Sequence, residues 1–225
     1  MENGGGGVRN VLNSIGKLLI AVAAVLPLAL MVSCGREEPQ ERKVQAVNPY
    51  STDSVFAEIK KKLQENPRDA DAWYHLADLY DRNGQYEEAI KAYQKVVELR
   101  PGNGYAYFKI GTAYGNLSRP GEAVGALKKA TRLLPGYAPA YNNLGVEYGK
   151  LGKTGEEIPV LKKAIQLRPK YASARYNLGV AYLKAGNIKA ALEQYRALTD
   201  IDSGTAEALL KEIESGGSRS ERQHP

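Results

Sequence analysis

Apolar side chains recur at intervals of three and four residues through most of the chain after residue 54. One stretch carries Trp73, Leu76, Ala77 and Tyr80, and the next carries Ala89, Tyr93, Val96 and Val97. This spacing places the apolar residues of each stretch on one face of an amphipathic helix. The pattern therefore predicts pairs of short helices joined by tight turns.

The pattern repeats with a period of 34 residues. Three registers run in phase along the chain: Pro67, Pro101, Pro135, Pro169; Tyr80, Tyr114, Tyr148, Tyr182; and Leu76, Ile110, Leu144, Leu178. A unit of this length cannot bury its apolar face alone, so successive units must stack. We therefore predict an all-α solenoid built from helix pairs.

Glycine and proline indicate where the helices end. Gly84, Gly152 and Gly186 stand between the two helices of a unit, where a left-handed residue can end the first helix. The repeated prolines are expected to end the second helix, because proline lacks the amide donor. Pro159 interrupts this scheme, and Glu157 stands where Ala is expected. The second helix of the third unit is therefore predicted to start late or to bend.

Small residues mark the crossing of the two helices in each unit. They are Ala77, Gly111, Gly145 and Gly179 on the first helices and Ala89, Ala123 and Ala191 on the second. An aromatic residue heads the first three units, at Trp73, Tyr107 and Tyr141, whereas Arg175 stands there in the fourth. Together with the Tyr80, Tyr93 and Pro101 positions, this pattern closely resembles the tetratricopeptide repeat.

The resemblance covers residues 70–103, 104–137, 138–171 and 172–205, and it implies a right-handed superhelical solenoid of antiparallel helix pairs. Such arrays need capping helices, because the terminal units otherwise expose apolar surface. We expect an N-terminal capping helix in 54–69 and a C-terminal capping helix in 206–214. The remaining residues, 215–225, are expected to be a disordered tail.

The amino terminus has the layout of an export signal. Arg9 and Lys17 precede an apolar run from Leu18 to Val32, which is shorter than the ~18 to 20 residues that span a bilayer. The residues from Leu30 to Cys34 resemble the lipobox of bacterial lipoproteins. This implies a signal peptide over 1–33, lipidation of Cys34 and a lipid-anchored protein with a flexible tether over 34–53.

The charge pattern and the resemblance together predict location. Basic residues precede the apolar run, which places the body of the protein on the periplasmic side of the inner membrane of a bacterial cell envelope. Gly35 follows the Cys, and the resemblance to enteric lipoproteins then slightly favours the outer membrane over the inner membrane.

Composition argues against an enzyme. The chain has one Cys and two His, which cannot build a metal cluster. It carries no glycine-rich phosphate loop and no nucleophile elbow. The net charge of +6 comes from interspersed signs, and export separates the protein from nucleic acid. We therefore expect no catalytic residue, no metal, no cofactor, no nucleic acid and no small-molecule substrate.

The resemblance implies that the first helix of each repeat lines a concave groove that binds peptides or partner domains. The groove positions hold Asp71, Tyr74, His75, Asp78, Asp81, Tyr105, Phe108, Lys109, Thr112, Asn142, Asn143, Val146, Tyr176, Asn177 and Val180. Aromatic rings bury area, and amides pair with both groups of a peptide backbone. A competing interpretation is that these residues only pack and solubilise the helices. Tyr74 and Asp78 replace the Lys and Asn of chaperone carboxylate clamps, which disfavours that partner.

A second row of side chains follows the second helices: Lys61, Lys95, Lys129 and Lys163, with Lys60, Lys128 and Lys162 beside them. A solvated outer face is the favoured interpretation of this row. The predicted function is a membrane-anchored scaffold for envelope proteins in envelope, pilus or cell-wall assembly. The alternative is an accessory subunit of a polysaccharide or matrix export system, in which the lysine row would face an anionic partner.

Overall fold

The computed structural model describes residues 52–221, which lie within one compact unit, Ala46–Pro225. This part of the chain folds into helices and contains no strand, as predicted. The helices are α1 (Thr52–Glu65), α2 (Ala70–Arg82), α3 (Tyr86–Leu99), α4 (Gly104–Asn116), α5 (Pro120–Leu133), α6 (Ala138–Lys150), α7 (Thr154–Leu167), α8 (Ala172–Lys184), α9 (Ile188–Thr199) and α10 (Ser203–Glu221).

The helices pack in the order in which they follow one another along the chain. The closest pairs are α2 with α3, α4 with α5, α6 with α7, and α8 with α9. Each second helix also packs against the first helix of the next pair, and α4, α6 and α8 contact one another in sequence. Starting residues of equivalent helices are 34 apart, from Ala70 to Ala172 and from Tyr86 to Ile188. The predicted solenoid of helix pairs is therefore confirmed.

The turns use the residues that the sequence marked. Gly84, Gly152 and Gly186 have φ angles of 72°, 68° and 74°, a left-handed conformation that costs glycine nothing. The equivalent position in the second pair is Ser118, with φ of 56°. Helices α1, α3, α5 and α7 each end two residues before a repeated proline, as expected for a residue that lacks an amide donor.

Glycine allows the closest approach within the pairs. A Cβ at Gly111 would lie 2.5 Å from Leu127 Cγ, and one at Gly145 would lie 2.5 Å from Leu161 Cγ. Both leucines are fully buried. The equivalent Gly179 instead approaches Leu209 of α10. The first helix of the fourth pair, α8, is therefore covered by the capping helix α10 as well as by its partner α9.

Two alternatives were predicted for the second helix of the third unit, a late start or a bend, and the late start is wrong. Helix α7 begins at Thr154, in register with its equivalents. Its first turn closes upstream of the proline, because the amides of Glu156 and Glu157 already donate to the carbonyl of Lys153, at 3.1 and 2.9 Å. Pro159, in the second turn, has no amide to donate to the helix.

The C-terminal cap is longer than predicted. Helix α10 begins at Ser203, where Asp202 accepts a hydrogen bond from the Thr205 amide at 3.0 Å. It continues to Glu221, past the expected end at 214. The predicted signal peptide, Cys34 and the tether as far as residue 51 lie outside the described residues. No described helix is long and apolar enough to span a bilayer.

A candidate binding groove

Predicted groove residues on neighbouring first helices contact one another. The name groove face is used here for the side of α2, α4, α6 and α8 that carries these residues. Side chains bond across each junction: Lys109 of α4 to Asp78 of α2, Asn143 of α6 to Thr112 of α4, and Asn177 of α8 to Asn142 of α6. The four first helices therefore present a single face.

A network of charged side chains lies at the α2 end of the groove face. Lys109 Nζ lies 2.9 Å from Asp78 Oδ1 and 3.0 Å from Asp81 Oδ2. The buried Tyr93 hydroxyl donates to Asp78 Oδ1 at 2.9 Å, and Arg82 Nη2 lies 3.1 Å from Asp78 Oδ2. Each oxygen of Asp78 therefore has a partner, and the network holds the face to the core.

The network shifts the pKa of its members. Burial opposes ionisation of Asp78, but hydrogen bonds from Lys109 and Tyr93 together hold its pKa below the usual range. Burial also works against the charge on Lys109, yet its bonds to Asp78 and Asp81 raise its pKa overall. Burial and the adjacent Asp78 raise the pKa of Tyr93. The ion pairs therefore stay charged, and the tyrosine stays neutral, around neutral pH.

The predicted groove aromatics differ in availability. Tyr74 is partly buried and packs edge-on against Tyr93, with ring centres 5.4 Å apart. Tyr105 is 51% exposed, and its ring lies 5.3 Å from that of Tyr137. Phe108 lies 5.1 Å from the same ring, also edge-on. Tyr74 is therefore largely core, whereas Tyr105 offers free aromatic surface.

Tyr137 was not among the predicted groove residues. It stands at the cap position before α6, as the equivalent Tyr171 does before α8, and neither side chain caps its helix. The earlier equivalents, Asp69 and Asn103, do accept amide hydrogen bonds at their helix starts. The exchange of two capping residues for two tyrosines in one register is the signal that would have indicated an aromatic surface.

A row of polar side chains runs along the middle of the groove face. Asn143 Nδ2 donates to the Thr112 hydroxyl at 3.4 Å, and Asn142 Nδ2 donates to Asn143 Oδ1 at 3.3 Å. Asn177 Nδ2 donates to Asn142 Oδ1 at 3.0 Å. This set, Thr112, Asn142, Asn143 and Asn177, is called the amide row below. Tyr176 lies beside it and lines a pocket with Asn177.

Two buried carboxylates lie under the same face, and the sequence did not single them out as site residues. Glu147 is 5% exposed and Glu157 is 3% exposed. Glu147 Oε1 lies 2.7 Å from Lys150 Nζ, and Glu157 Oε1 lies 3.4 Å from Lys184 Nζ. The repeat pattern indicates only that Glu157 stands where Ala is expected. That interpretation is incomplete, because the side chain is buried between α7 and its neighbours.

Replacing Glu157 by Ala is expected to raise the free energy of unfolding at neutral pH by about 1 kcal/mol. The buried Oε2 has no hydrogen-bond partner among the described residues, and a buried acceptor without a partner costs roughly 1 to 3 kcal/mol of stability. The substitution removes this cost, but the void that it leaves cancels part of the gain. Lys184 is 45% exposed, so water can take over its charge. Urea unfolding measures the difference.

The advantage of this variant is expected to depend on pH. Burial raises the pKa of Glu157, against the opposing charge of Lys184. The folded protein therefore keeps this proton at pH values where the unfolded chain has released it, and the native protein loses stability as pH rises through that window. The advantage of the Ala variant should shrink towards acidic pH. Glu156→Ala, an exposed neighbour, is the control and should change stability little; a destabilised Glu157→Ala protein would contradict the prediction.

Most lysines of the row along the second helices contact other side chains of the described surface. Lys95 pairs with Glu98 at 2.7 Å, and Lys163 donates to Gln166 at 3.1 Å. Lys129 lies 5.2 Å from the ring centre of Tyr107. The adjacent Lys60, Lys128 and Lys162 lie over the rings of Phe56, Tyr148 and Tyr182. These contacts are typical of solvated lysines whose stems cover aromatic rings.

Comparison with sequence families identifies the repeat. Three family models described as "Tetratricopeptide repeat" match residues 70–103, 104–136 and 150–213, which together exceed half of the chain. No curated protein matches the sequence.

Solved structures with the same fold share modest sequence identity with this chain. A structure of MamA is 26% identical with a TM-score of 0.66, covering 69% of this chain and 91% of the other. YrrB, described as a repeat protein with an unusual peptide-binding site, is 26% identical with a TM-score of 0.59, covering 69% and 84%. PilW, a type IV pilus biogenesis factor, is 20% identical with a TM-score of 0.62, covering 76% and 80%. PilW is therefore similar in fold alone.

Proposed function

Because this chain belongs to the tetratricopeptide repeat family, we propose that it is an adaptor that binds an extended segment of a partner protein along its groove face. The family fold supports a scaffold for protein–protein interaction. In this proposal α2, α4, α6 and α8 hold the partner segment, and the protein catalyses no reaction.

The amide row is the observation that carries the proposal. A side-chain amide has two donors and two acceptor lone pairs, and the bonds within the row use only part of this capacity. The row crosses from α4 to α8, so it can pair with successive peptide groups of an extended chain. Tyr105 and Tyr176 flank it and supply apolar area. The peptide-binding site named for YrrB is consistent with such a role.

Replacing both Asn143 and Asn177 by Ala is expected to weaken partner binding about tenfold or more. Each change removes hydrogen bonds between neutral groups that contribute about 1 kcal/mol to binding of the partner segment. The remaining amides of the row also lose the neighbours that orient them. Crosslinking in cells, followed by identification of the recovered proteins, measures the effect.

The control is Gln166→Ala, which removes an exposed amide on α7 away from the amide row. It should leave partner recovery unchanged. If the double Asn variant recovers the same partners in the same amounts as the unmodified protein, the groove face is not where the partner binds.

We further propose that Cys34 anchors this adaptor to a membrane of the bacterial envelope, with the repeats on the periplasmic side. The support is the apolar run, the lipobox resemblance and the polar stretch that follows it. The outer membrane is slightly favoured by Gly35. The partners would then be envelope proteins in envelope, pilus or cell-wall assembly.

Replacing Cys34 by Ala is expected to abolish labelling by a fatty-acid probe and to release the protein from the membrane fraction, because the thiol is the atom that would be acylated. Labelling and fractionation of the two proteins side by side measure this. Ser33→Ala keeps the thiol and a small residue before it, so it should retain both properties. A Cys34→Ala protein that stays membrane-bound would point to an uncleaved helix instead.

A role in polysaccharide or matrix export has weaker support. It needs the lysines of the second helices to face an anionic partner, and three of them, Lys95, Lys129 and Lys163, already contact acidic, aromatic or amide side chains of the chain itself.

A further inference from the structure

Beneath the amide row, the groove face contains the same three-residue arrangement at two successive junctions. Gly115 and Gly149 occupy one register position, and Lys150 and Lys184 occupy another. At the first junction a Cβ on Gly115 would lie 2.7 Å from Glu147 Oε1. At the second, a Cβ on Gly149 would lie 2.5 Å from Glu157 Oε1. Each missing side chain therefore makes room for a buried carboxylate paired with a lysine.

The two carboxylates reach equivalent places from different helices. Glu147 comes from α6, whereas Glu157 comes from α7. One repeat later, Ala181 takes the position of Glu147; one repeat earlier and later, Ala123 and Ala191 take the position of Glu157. All three alanines are fully buried. The repeat therefore folds with Ala at either position, and packing alone does not require the carboxylates.

Each carboxylate has one buried oxygen without a partner. Glu147 Oε2 and Glu157 Oε2 are inaccessible to solvent and accept no hydrogen bond among the described residues. At the junction of α2 and α4, by contrast, both oxygens of Asp78 are bonded. Buried acceptors of this kind are rare and costly, so a hydrogen bond from a ligand to either oxygen would be favourable.

Both carboxylates line pockets that open beside the amide row. Glu147 lines a pocket of about 210 Å³ with Thr112 and Asn143. Glu157 lines a pocket of about 290 Å³ with Asn177 and Tyr176. A water molecule takes roughly 30 Å³ of liquid volume, so each pocket has room for the end of a side chain.

We propose that each pocket binds the side-chain carboxamide of a Gln or Asn in the partner segment. The paired Glu and Lys present one acceptor and one donor side by side, and a carboxamide carries the matching N–H donor and carbonyl acceptor on one planar group. The pair is neutral overall. A cationic ligand side chain would therefore meet the lysine, and an acidic one would meet the carboxylate, at a cost that burial increases.

A small rearrangement gives the ligand access to the carboxylate. The terminal torsion of Glu is broad, so a partial rotation of the carboxylate can turn the unpartnered oxygen towards the pocket. Lys150 and Lys184 are 44% and 45% exposed, and their flexible stems can follow. The incoming N–H then occupies one oxygen while the lysine keeps the other.

The spacing of the pockets predicts a spacing in the ligand. Helices α4, α6 and α8 contact one another in turn, and packed helices lie about 8 to 10 Å apart. A segment in the polyproline II conformation advances about 3.1 Å per residue with three residues per turn, so side chains three residues apart point the same way and lie about 9 Å apart. The ligand is therefore an extended segment with Gln or Asn at two positions three residues apart.

This inference rests on the proposed function, and one selection tests both. Random dodecapeptides displayed on phage are selected against the full chain in detergent micelles, and the enriched peptides are synthesised with a fluorescent label. Fluorescence anisotropy then measures their affinity. We expect Gln or Asn at two positions three apart, and about tenfold weaker binding when either is changed to Leu, Glu or Lys.

The decisive variant carries Glu147→Ala and Glu157→Ala, substitutions that reproduce residues of the neighbouring repeats and preserve the fold. It should lose the preference for carboxamides, binding Gln and Leu versions of a peptide within about twofold of each other. Glu156→Ala removes one carboxylate from the exposed surface of α7 and should keep the preference.

The possible failures separate the two proposals. If peptides are selected and depend on Asn143 and Asn177, but show basic residues at the paired positions or bind the double Glu variant unchanged, the carboxamide pockets are wrong and the groove function stands. If no peptide is enriched over a column without protein, the proposed groove function fails and the pockets fail with it.

Discussion

Replacing Tyr93 by Ala is expected to lower the free energy of unfolding by about 3 to 5 kcal/mol, which is the usual cost of removing a buried aromatic side chain. Tyr93 is fully buried in α3. Its ring packs edge-on against Tyr74, and its hydroxyl donates to Asp78. The substitution therefore leaves a void in the core and removes a partner from a partly buried carboxylate.

Two further variants divide this loss into its parts. Tyr93→Phe keeps the ring and removes only the hydroxyl, so about 1 to 2 kcal/mol should be lost. Tyr195 holds the same register position in the fourth repeat, but it is only partly buried, and Tyr195→Ala should cost clearly less than Tyr93→Ala. Urea unfolding followed by circular dichroism measures all three. Equal losses for the two Ala variants would show that burial in the first repeat does not decide the cost.

The effect of Tyr93 should extend to the groove face. Its hydroxyl, Asp78 and Lys109 form one bonded set that joins α3, α2 and α4. Loss of the hydroxyl should therefore speed amide hydrogen exchange in α2 and α4 before it affects α8, because repeats in a solenoid contact only their neighbours.

Replacing Gly145 by Ala is expected to lower the free energy of unfolding by about 1 to 3 kcal/mol, the cost of forcing an extra group into a packed core. A Cβ there would lie 2.5 Å from Leu161 Cγ and 2.6 Å from Leu161 Cδ2. Leu161 is itself fully buried. The leucine must therefore leave its rotamer or α6 must move away from α7.

Gly125 provides a matched control for this substitution. It lies within α5, and a Cβ there meets no atom within 4 Å. Gly125→Ala should stabilise the protein by up to about 1 kcal/mol, because Ala is the better helix former. The two substitutions are chemically identical and differ only in what the new methyl group meets. A Gly145→Ala protein as stable as the Gly125→Ala protein would show that α6 and α7 can accommodate a methyl group where they cross.

Much of the fold follows from local rules that operate within about one repeat. The 34-residue period, the apolar spacing and the prolines determined the number and order of the helices and the ends of those inside the repeats, because each unit can bury its apolar face only by stacking on its neighbours. The left-handed turns followed at Gly84, Gly152 and Gly186. Ser118 is the exception, since it adopts the same left-handed conformation without being glycine. The turn between the two helices of its repeat requires that conformation.

The position of the groove face could be predicted from the sequence, but the burial of its individual side chains could not. Register placed Tyr74, Tyr105 and the asparagines on the first helices, and the structure brings them onto one continuous face. The sequence did not indicate that Tyr74 packs into the core while Tyr105 is exposed. That difference depends on which residue of the neighbouring helix reaches each ring, namely Tyr93 in one case and Tyr137 in the other.

The sequence by itself therefore determined the all-helical repeat and the face that a partner would use, because both depend on periodicity. Only the tertiary structure decided what lies beneath that face. Glu147 and Glu157 come from different helices and different register positions, so no period relates them. They meet equivalent glycines and lysines only after α4, α6, α7 and α8 have packed, since burial and partner distance are properties of the assembled helices.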